Sequence, residues 1–273
     1  MGSVRYALAS ELYDLFVATV QRLATAPGVH SVCEIGGGAN PLLPLDFVQS
    51  HGLEYTVVDI SAAELAKAPE GYRKVQADIS APQPNIAGRY DLVFSQWLAE
   101  HVRSGRTFHG NVANLLTPGG YAVHVFPTLY SPPFVLNWLI PEWVSESILL
   151  WLQPYRRREG RHGKFPAYYC WCTGPSRRQL RRIASVGFDM VEYHGFFGHS
   201  GAAAVGASYL DRLPRLMRCH ERFARWLVRH PTNTLTSYAC VVLRKPLVTD
   251  RDEHGTDFEN RLGQPAEELA AVD

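Results

Sequence analysis

Residues 32–41 read VCEIGGGANP, an apolar run that ends in an acid and is followed by a glycine-rich turn. A buried parallel strand needs apolar residues on both faces, and this run supplies them. The glycines let the backbone turn sharply and approach a ligand without interference from a Cβ atom. Taken alone, the pattern fits either a ligand cradle or a plain strand-to-helix turn.

The next strand signal favours the ligand cradle. Residues 53–60 read LEYTVVDI, a β-branched run with Asp59 near its end, about twenty residues beyond the glycines. An acid at the carboxyl end of the second strand of a doubly wound sheet accepts hydrogen bonds from ribose hydroxyls. The same acid disfavours a 2'-phosphate. The two strands together therefore predict an adenosine derivative without that phosphate as the ligand.

Three later segments continue this pattern in a fixed order. They are VQAD at 75–78, YDLVFS at 90–95 and LLTPGGYAV at 115–123. With EIGGG at 34–38 and the acid Asp59, they resemble the ordered motifs of class I S-adenosylmethionine-dependent methyltransferases that act on small molecules. Five ordered matches across about ninety residues are hard to produce by chance.

One position departs from the family pattern, because Asn40 and then Pro41 stand where the third loop glycine is expected. Asn tolerates left-handed backbone better than other non-glycine residues, and Pro is favoured at the first position of a helix. We therefore expect this pair to make the same turn and to start the helix. A dinucleotide dehydrogenase is the structural rival, but it normally keeps the third glycine, whose place here is Pro41.

The resemblance implies an enzyme that uses S-adenosylmethionine as its cofactor. The cofactor-binding residues that it implies lie in the glycine loop and at the ends of the next three strands: Glu34, Gly36, Gly37, Gly38, Asn40, Asp59, Ile60, Asp78, Ile79, Ser95 and Gln96. Just past the fourth strand the chain reads SQWLAEHV at 95–102. A base is needed there only if the acceptor carries a proton, and Glu100 and His101 are the candidates. Glu-His is frequent at this place in the family, so a structural role stays equally open.

Strand and helix signals alternate through most of the chain. A helix is expected from about Ala7 to Ala26, because apolar residues recur there at helical spacing. Further helices are expected at 41–50, 61–67, 106–116, 176–187 and 208–229, and strands at 31–36, 54–59, 73–77, 90–95, 119–126, 188–195 and 236–244. This order predicts an α/β fold with a doubly wound, mostly parallel seven-stranded sheet. The resemblance implies that the last strand is antiparallel and pairs with its predecessor at the sheet edge.

The alternation stops in an aromatic and basic segment at about 127–175, which the resemblance interprets as a lid over the acceptor. Short helices are expected there around 136–141 and 148–152. The predicted acceptor-binding residues are Tyr130, Arg157, Arg158, Tyr168, Tyr169 and Trp171, with core packing as the alternative for each aromatic. The Arg156–Lys164 cluster either holds a phosphate or carboxylate or forms a solvated face.

The domain organisation follows from composition. Residues 1–245 are expected to form one methyltransferase domain, and 246–273 an acidic, mobile tail. From Asp250 onward the chain contains eight acids and two arginines, a net charge of −6. Since the net charge of the whole chain is +1, the rest of the chain carries +7. Nothing near Met1 reads as a secretory signal, so a cytoplasmic protein is expected.

Other partners are less compatible with the sequence. The five cysteines form neither an even disulfide set nor spaced metal knuckles, so free thiols and no metal are expected. A pI of 7.7 and the lack of an RNA-binding module disfavour nucleic acid. The apolar stretch at 134–152 is interrupted by Pro141, Glu142 and Glu146, so it cannot span a bilayer but can lie at its interface.

The sequence thus predicts a methyltransferase that acts on a small amphiphilic or apolar metabolite, of the kind used in secondary metabolism. Two alternatives stay open. One is a C-methyltransferase that acts on an isoprenoid or another phosphorylated acceptor held by the Arg156–Lys164 cluster. The other is an inactive homologue that only binds the cofactor. The sequence does not indicate whether oxygen, carbon or nitrogen is methylated.

Overall fold

The computed structural model describes residues 2–140, 143, 144, 147, 166–199 and 214–247. Its strands are β1 (Ser3–Leu8), β2 (Ser31–Ile35), β3 (Glu54–Asp59), β4 (Arg73–Gln76), β5 (Tyr90–Gln96), β6 (Leu116–Pro127), β7 (Asp189–Phe197) and β8 (Tyr238–Arg244). Its helices are α1 (Leu12–Ala24), α2 (Leu45–Ser50), α3 (Ala62–Lys67), α4 (Gly105–Leu115), α5 (Pro132–Leu139), α6 (Arg177–Ala184) and α7 (Pro214–Arg229). Short 3-10 turns at Ala9–Glu11 and Ala99–His101 precede α1 and α4.

The strands form one sheet in the order β1-β7-β8-β6-β5-β2-β3-β4. Strand β8 runs antiparallel to both of its neighbours, β6 and β7, and the other pairs are parallel. The predicted α/β fold with a mostly parallel, doubly wound sheet is therefore confirmed. The expected antiparallel pairing of the last two strands is also confirmed.

The N-terminus differs from the prediction. Residues 3–8 form a strand that pairs in parallel with β7, so the sheet has eight strands and β1, not the β7–β8 pair, lies at its edge. The helix expected from Ala7 begins at Leu12. Apolar side chains at Val4, Tyr6 and Leu8 alternate with the positions between them, a strand period that the longer helical pattern obscured.

Helices cover both faces of the sheet. Phe16 of α1 packs edge-on against Phe94 of β5, with ring centroids 6.2 Å apart. The next residue of β5, Ser95, points to the opposite face, since side chains alternate along a strand. There it meets His124 of β6, whose ring packs 5.1 Å from Phe108 of α4. The central strands are therefore buried on both faces, as expected for a parallel sheet.

Several predicted segments lie outside the described residues. These are the expected helix at 148–152, the Arg156–Lys164 cluster with Arg157 and Arg158, and most of the acidic tail. The helix expected around 136–141 is found as α5, which begins earlier, at Pro132. None of the helices in the described ranges combines the length and the hydropathy that a membrane-crossing segment requires.

Candidate active site

The candidate site lies where β2, β3 and β5 end side by side. Strand β2 pairs with β3 on one side and with β5 on the other. The chain leaves β2 toward β3 and β4 and later returns to the opposite side with β5. The loops after β2 and β5 therefore diverge, and such a switch point is where open α/β sheets bind their ligands.

The glycine loop after β2 is closely packed against side chains of neighbouring elements. Gly36 has a φ of 81°, and its N–H donates to the carbonyl oxygen of Val58 at 2.7 Å. A Cβ atom on Gly36 would lie 2.6 Å from Leu98 Cδ1. A Cβ atom on Gly37 would lie 2.8 Å from Glu34 Cδ. Larger residues at either position would displace their neighbours, so the glycines are required by the structure itself.

Gly38 brings the loop next to the predicted ribose acid. Its φ is 46°, and a Cβ atom on it would lie 3.1 Å from Asp59 Oδ2. The other carboxylate oxygen of Asp59 accepts a hydrogen bond from the Ser61 N–H at 2.8 Å. The missing side chain of Gly38 thus leaves a cradle between the loop and the carboxylate. A glycine loop beside such an acid is the arrangement with which doubly wound sheets bind a ribose, so the residues present are compatible with S-adenosylmethionine.

Glu34, a predicted cofactor residue, supports this loop from beneath. Its buried carboxylate accepts hydrogen bonds from the Tyr55 hydroxyl and, at 3.0 Å, from the Leu42 N–H. Burial raises the pKa of Glu34 to about 7. The side chain therefore shapes the floor of the loop, and its hydrogen bonds run to the protein.

The exit of the loop differs from the expectation. Asn40 lies outside the left-handed region, and its N–H donates to the Gly37 carbonyl oxygen at 3.0 Å. Helix α2 begins at Leu45 and is preceded by Pro44, so Pro41 does not start it. Residues 41–44 thus belong to the loop, which is longer than predicted. Within this extra stretch the Leu42 N–H donates a hydrogen bond to Glu34.

The other predicted cofactor residues at the ends of β3 and β4 have contrasting environments. Ile60 exposes 64% of its surface at the mouth of the crevice, whereas Ile79 is buried. The exposed carboxylate of Asp78 caps its own turn, because one oxygen accepts from the Ser80 N–H at 2.8 Å. The carbonyl oxygen of Ile79 accepts from Asn111 Nδ2 at 2.7 Å, which ties this loop to α4.

At the end of β5, only one of the two predicted cofactor residues has an accessible side chain. Ser95 is fully buried, and its Oγ shares a 2.8 Å hydrogen bond with His124 Nδ1. Gln96 is half-buried at the last position of the strand. Contact of Ser95 with a ligand is therefore restricted to its backbone.

The two predicted catalytic residues are adjacent in space as well as in sequence. Glu100 is 5% exposed, and its Oε2 has no hydrogen-bond partner among the described residues. Burial raises the pKa of Glu100 to about 8. His101 Nε2 lies 3.6 Å from Glu100 Oε1, and His101 Nδ1 bonds to the Pro166 carbonyl oxygen at 2.9 Å. Burial lowers the pKa of His101, so the pair carries little charge at neutral pH.

Residues 166–169, near the end of the predicted lid, are hydrogen-bonded to this pair. The carbonyl oxygen of Glu100 accepts hydrogen bonds from the N–H groups of Tyr168, at 2.7 Å, and Tyr169, at 3.1 Å. Tyr169 is buried with a φ of 49°, whereas Tyr168 is exposed and accepts a hydrogen bond from Arg103 Nε at 3.1 Å. Two of the predicted acceptor-binding residues thus lie beside Glu100.

Two further predicted acceptor-binding residues, Trp171 and Tyr130, are described and have other surroundings. Trp171 has a φ of 64° and stacks on His109 of α4, with ring centroids 5.9 Å apart. Tyr130 is exposed in the turn after β6. Arg157 and Arg158 lie outside the described residues. The packing interpretation, left open by the sequence, describes Trp171 well.

Tyr169, a predicted acceptor-binding residue, belongs to a group of rings that we call the aromatic cluster: Trp97, Phe134, Tyr169, His199 and Tyr238. The other four members were not predicted from the sequence. Tyr238 lies 5.5 Å from Trp97 and 5.6 Å from Phe134 between ring centroids. Phe134 in turn contacts Tyr169 at 6.1 Å and His199 at 5.3 Å. Trp97 and His199 follow the ends of β5 and β7, and Tyr238 begins β8; this position at strand ends was the only signal available in the sequence for these three.

Two members of the aromatic cluster have notable polar atoms. Trp97 has a φ of 52°, and its buried Nε1 has no hydrogen-bond partner among the described residues. His199 Nε2 bonds to Ser131 Oγ at 2.8 Å, and burial lowers the pKa of His199 to about 3. The cluster is therefore uncharged at neutral pH, with one indole N–H unpaired.

The described residues hold no group of three or more His, Cys, Asp or Glu side chains arranged to bind a metal ion. All five cysteines are free thiols in the structure, and the Cys170 Sγ accepts a hydrogen bond from the Gly105 N–H at 3.3 Å. The Cys172 Sγ donates to the Cys170 carbonyl oxygen at 3.8 Å, so both thiols have polar protein neighbours.

Comparison with solved structures gives the same fold. The structure of the (4+2)-cyclase SpnF is 12% identical with a TM-score of 0.51, and the match covers 89% of this chain and 85% of that one. Phosphoethanolamine N-methyltransferase 2 of Haemonchus contortus, in complex with phosphomonomethylethanolamine and S-adenosylhomocysteine, is 14% identical with a TM-score of 0.52. That match covers 86% of this chain and 53% of the other. At these identities the likeness shows the fold, and the two named activities differ.

Curated protein sequences give no significant match to the chain. A family model described as a methyltransferase domain matches residues 8–193, which include β2 to β6, the glycine loop and the Glu100–His101 pair. Because that match covers most of the sequence, the chain belongs to the methyltransferase-domain family, enzymes whose methyl donor is S-adenosylmethionine.

Proposed function

We propose that the chain methylates a small amphiphilic metabolite that binds between the aromatic cluster and the Glu100–His101 pair. The observation that carries this proposal concerns two buried polar atoms, Trp97 Nε1 and Glu100 Oε2, which have no hydrogen-bond partner within the described part of the chain. Buried polar atoms in folded proteins almost always have partners. A ligand that offers one acceptor and one donor, such as a hydroxyl or an amine, would satisfy both.

The residues that would hold S-adenosylmethionine line the crevice between β2, β3 and β5. Asp59 would bind the ribose hydroxyls, and the backbone of Gly36–Gly38 would lie under the methionine part. Ile60, Asp78 and Ile79 would surround the adenine, with Gln96 near the sulfur end. Bound there, the cofactor supplies an electrophilic methyl group on a cationic sulfur.

The aromatic cluster supports an acceptor with an apolar body. Its rings are packed against one another and are uncharged, which suits an apolar or aromatic group at the mouth of the site. Trp97 is the half-buried member, so it is the ring through which the cluster reaches the surface. Polar atoms at one end and rings at the other together favour an amphiphilic acceptor.

Glu100 is the residue that we propose as the base. A pKa near the working pH makes a carboxylate basic enough to take a proton while part of it is still ionised. Burial brings the pKa of Glu100 to about 8, and its free oxygen has room for a new hydrogen bond. The proton released by an acceptor hydroxyl or amine would pass to Glu100, and His101 at 3.6 Å would hold the carboxyl group in place.

Cofactor placement is tested by calorimetry with S-adenosylhomocysteine. Asp59→Asn keeps an acceptor for the Ser61 N–H but removes the charge, so we expect binding about ten- to a hundredfold weaker. Asp46→Asn, an exposed acid on the neighbouring helix, is the matched control and should bind like the parent. Equal affinity for both variants would rule out Asp59 as the ribose ligand.

Acceptor chemistry is tested by incubating the enzyme with metabolite extracts and isotopically labelled cofactor, followed by mass spectrometry. We expect the label in a small compound with one polar head and an apolar body. Glu100→Gln should lower the transfer rate about a hundredfold and leave S-adenosylhomocysteine affinity unchanged. Label confined to protein or nucleic acid would contradict the proposed acceptor, and undiminished transfer by Glu100→Gln would exclude Glu100 as the base.

The sequence alternative of a phosphorylated acceptor depends on Arg156–Lys164, which lies outside the described residues. It remains a proposal with its own test. If the cluster binds a phosphate or diphosphate, Arg157→Ala and Arg158→Ala should raise the acceptor KM without changing cofactor affinity. An unchanged KM would favour a solvated face.

A further inference from the structure

Helix α7 packs on the sheet with only part of its apolar surface. Its inner side buries Ala224 and Leu227, which form a small core with Phe197 of β7. Tyr6 of the edge strand stacks on Phe197 and completes that contact. The helix is therefore anchored to the fold through one side, and its other sides are accessible.

A second apolar row runs along the accessible surface of α7. Leu216, Phe223 and Trp226 expose 52%, 48% and 51% of their surface. Residues at this spacing lie on one side of an α-helix. The Phe223 and Trp226 rings stack on each other at 5.9 Å, and Leu216 lies two turns earlier on the same side; we call these three residues the apolar strip. Soluble surfaces rarely present such a strip without a partner.

The apolar strip is bordered by a row of cations. Every third or fourth residue of α7 is an exposed arginine: Arg215, Arg218, Arg222, Arg225 and Arg229. The helix contains one acid, Glu221, which lies 3.7 Å from Arg225. Five arginines against one glutamate give α7 a net charge of +4. An anionic surface would complement this row.

A neighbouring element presents exposed aromatic side chains as well. Trp138 and Leu139 at the end of α5 expose 56% and 65% of their surface. Helices α5 and α7 meet at His199, whose ring contacts Phe134 of α5 at 5.3 Å and His220 of α7 at 5.2 Å. Exposed apolar surface is thus found on two elements that flank the same buried residue.

We propose that α7 docks on the surface of a bilayer that contains anionic phospholipids. Interfacial helices combine a basic side with Trp, Phe and Leu on the adjacent apolar side, and α7 has both. A second copy of the chain is a poorer occupant, because a two-fold contact through the strip would bring two arginine rows together. The proposal depends on the exposed residues of α7 and not on a methyl acceptor, so it does not depend on the proposed function.

Vesicle flotation tests this docking surface with the full chain. Vesicles of phosphatidylcholine alone are compared with vesicles that also contain phosphatidylglycerol, at low and high salt. We expect binding to the anionic vesicles that falls at least tenfold at high salt, and little binding to the neutral ones. Absence of binding to anionic vesicles, or equal binding to both kinds, would overturn the proposal.

Three double variants identify the surface responsible. Phe223→Ser with Trp226→Ser, and Arg218→Gln with Arg222→Gln, should each weaken binding at least tenfold, because they remove the strip or part of the arginine row. Arg177→Gln with Arg178→Gln removes two exposed charges from α6 and should bind like the parent. Equal loss in the two arginine variants, with no loss in Phe223→Ser/Trp226→Ser, would show that net charge alone drives binding and would contradict docking through α7.

The competing occupant is a second copy of the chain, and sedimentation detects it. We expect the parent chain and the Phe223→Ser/Trp226→Ser variant to have the same mass in solution without lipid. A parent dimer that this variant dissociates would assign the strip to self-association and would overturn the membrane proposal. Circular dichroism of each variant establishes that α7 is still folded when binding is measured.

Discussion

The hydroxyl of Tyr55 donates a hydrogen bond to the carboxylate of Glu34, and this contact lies directly beneath the glycine loop. Tyr55 belongs to β3 and Glu34 to β2, so the contact joins the two strands whose ends form the cofactor crevice. Glu34 also accepts from the Leu42 N–H, which fixes the exit of the loop. The acid of the first motif thus acts through the loop, and Asp59 is the acid that we propose as the ribose ligand.

Glu34 is expected to make stability depend on pH. Its pKa is raised by burial from 4.5 to about 7, so the folded state holds its proton more tightly than the unfolded state. The stabilisation is complete below about pH 4.5 and is lost as pH rises to about 7, at about 1.4 kcal/mol per unit. Glu34→Gln does not titrate, so its unfolding free energy relative to the parent should rise by roughly 2–3 kcal/mol across this range. Urea unfolding at several pH values measures the difference, and parallel curves would mean that Glu34 stays ionised in the folded protein.

Gly37→Ala is expected to disturb both the loop and cofactor binding. The new methyl group would lie 2.8 Å from Glu34 Cδ and from Val57 Cγ1, which are held by the sheet. Overpacking of this kind destabilises proteins by about 1–3 kcal/mol, and the displaced loop should weaken S-adenosylhomocysteine binding. Chemical unfolding and calorimetry measure the two effects. Normal affinity of the variant for S-adenosylhomocysteine would show that binding does not require the observed position of the loop backbone.

The parts of the site that were predictable from sequence are those whose chemistry is local. The glycines and Asp59 sit within or directly after their own strands, so the position of each follows from a short stretch of chain. Trp97 and Tyr238 belong to the same aromatic cluster although they are far apart in the chain. Their contact depends on the pairing of β6 with both β5 and β8, which no local pattern contains.

The edge strand illustrates the same limit. Residues 3–8 become a strand because β7 offers a free edge to pair with, and β7 lies far away in the sequence, at Asp189–Phe197. Their alternating apolar pattern is too short to outweigh the helical period that begins at Leu12. Tertiary context therefore determines the secondary structure of residues 3–8, whereas the positions of the central strands along the chain could be predicted from motifs.

Two glycines in α4 are expected to respond to alanine in opposite directions. A Cβ atom on Gly105 would lie 2.6 Å from Trp171 Cγ and 2.8 Å from the Cys170 carbonyl oxygen, so Gly105→Ala should lower stability by about 1–3 kcal/mol. No atom lies within 4 Å of the corresponding position on Gly110, so Gly110→Ala should raise stability by about 0.5–1 kcal/mol through helix propensity. Thermal unfolding of the two variants provides the comparison. A stabilised Gly105→Ala variant would show that Trp171 does not pack on this helix as observed.

The buried histidines His109 and His124 are expected to oppose Glu34 in their effect on acid stability. Their rings lie 5.4 Å apart, and neither His109 Nδ1 nor His124 Nε2 has a partner among the described residues. Burial lowers the pKa of His109 from 6.5 to about 4, so the unfolded state binds the proton more tightly. The stabilisation is present above about pH 6.5 and is lost as pH falls toward 4.

Replacing His109 by residues that do not titrate isolates this effect. His109→Phe and His109→Gln should both gain stability relative to the parent as pH falls from 6.5 to about 4, by about 1.4 kcal/mol per unit. Phe offers an apolar contact to Trp171, whereas Gln keeps a polar group. If the unfolding free energies of both variants change with pH in the same way, the effect comes from the lost titration and not from packing. Urea unfolding between pH 4 and pH 8 measures both variants, and slopes equal to that of the parent would show that His109 is charged or paired in the folded protein.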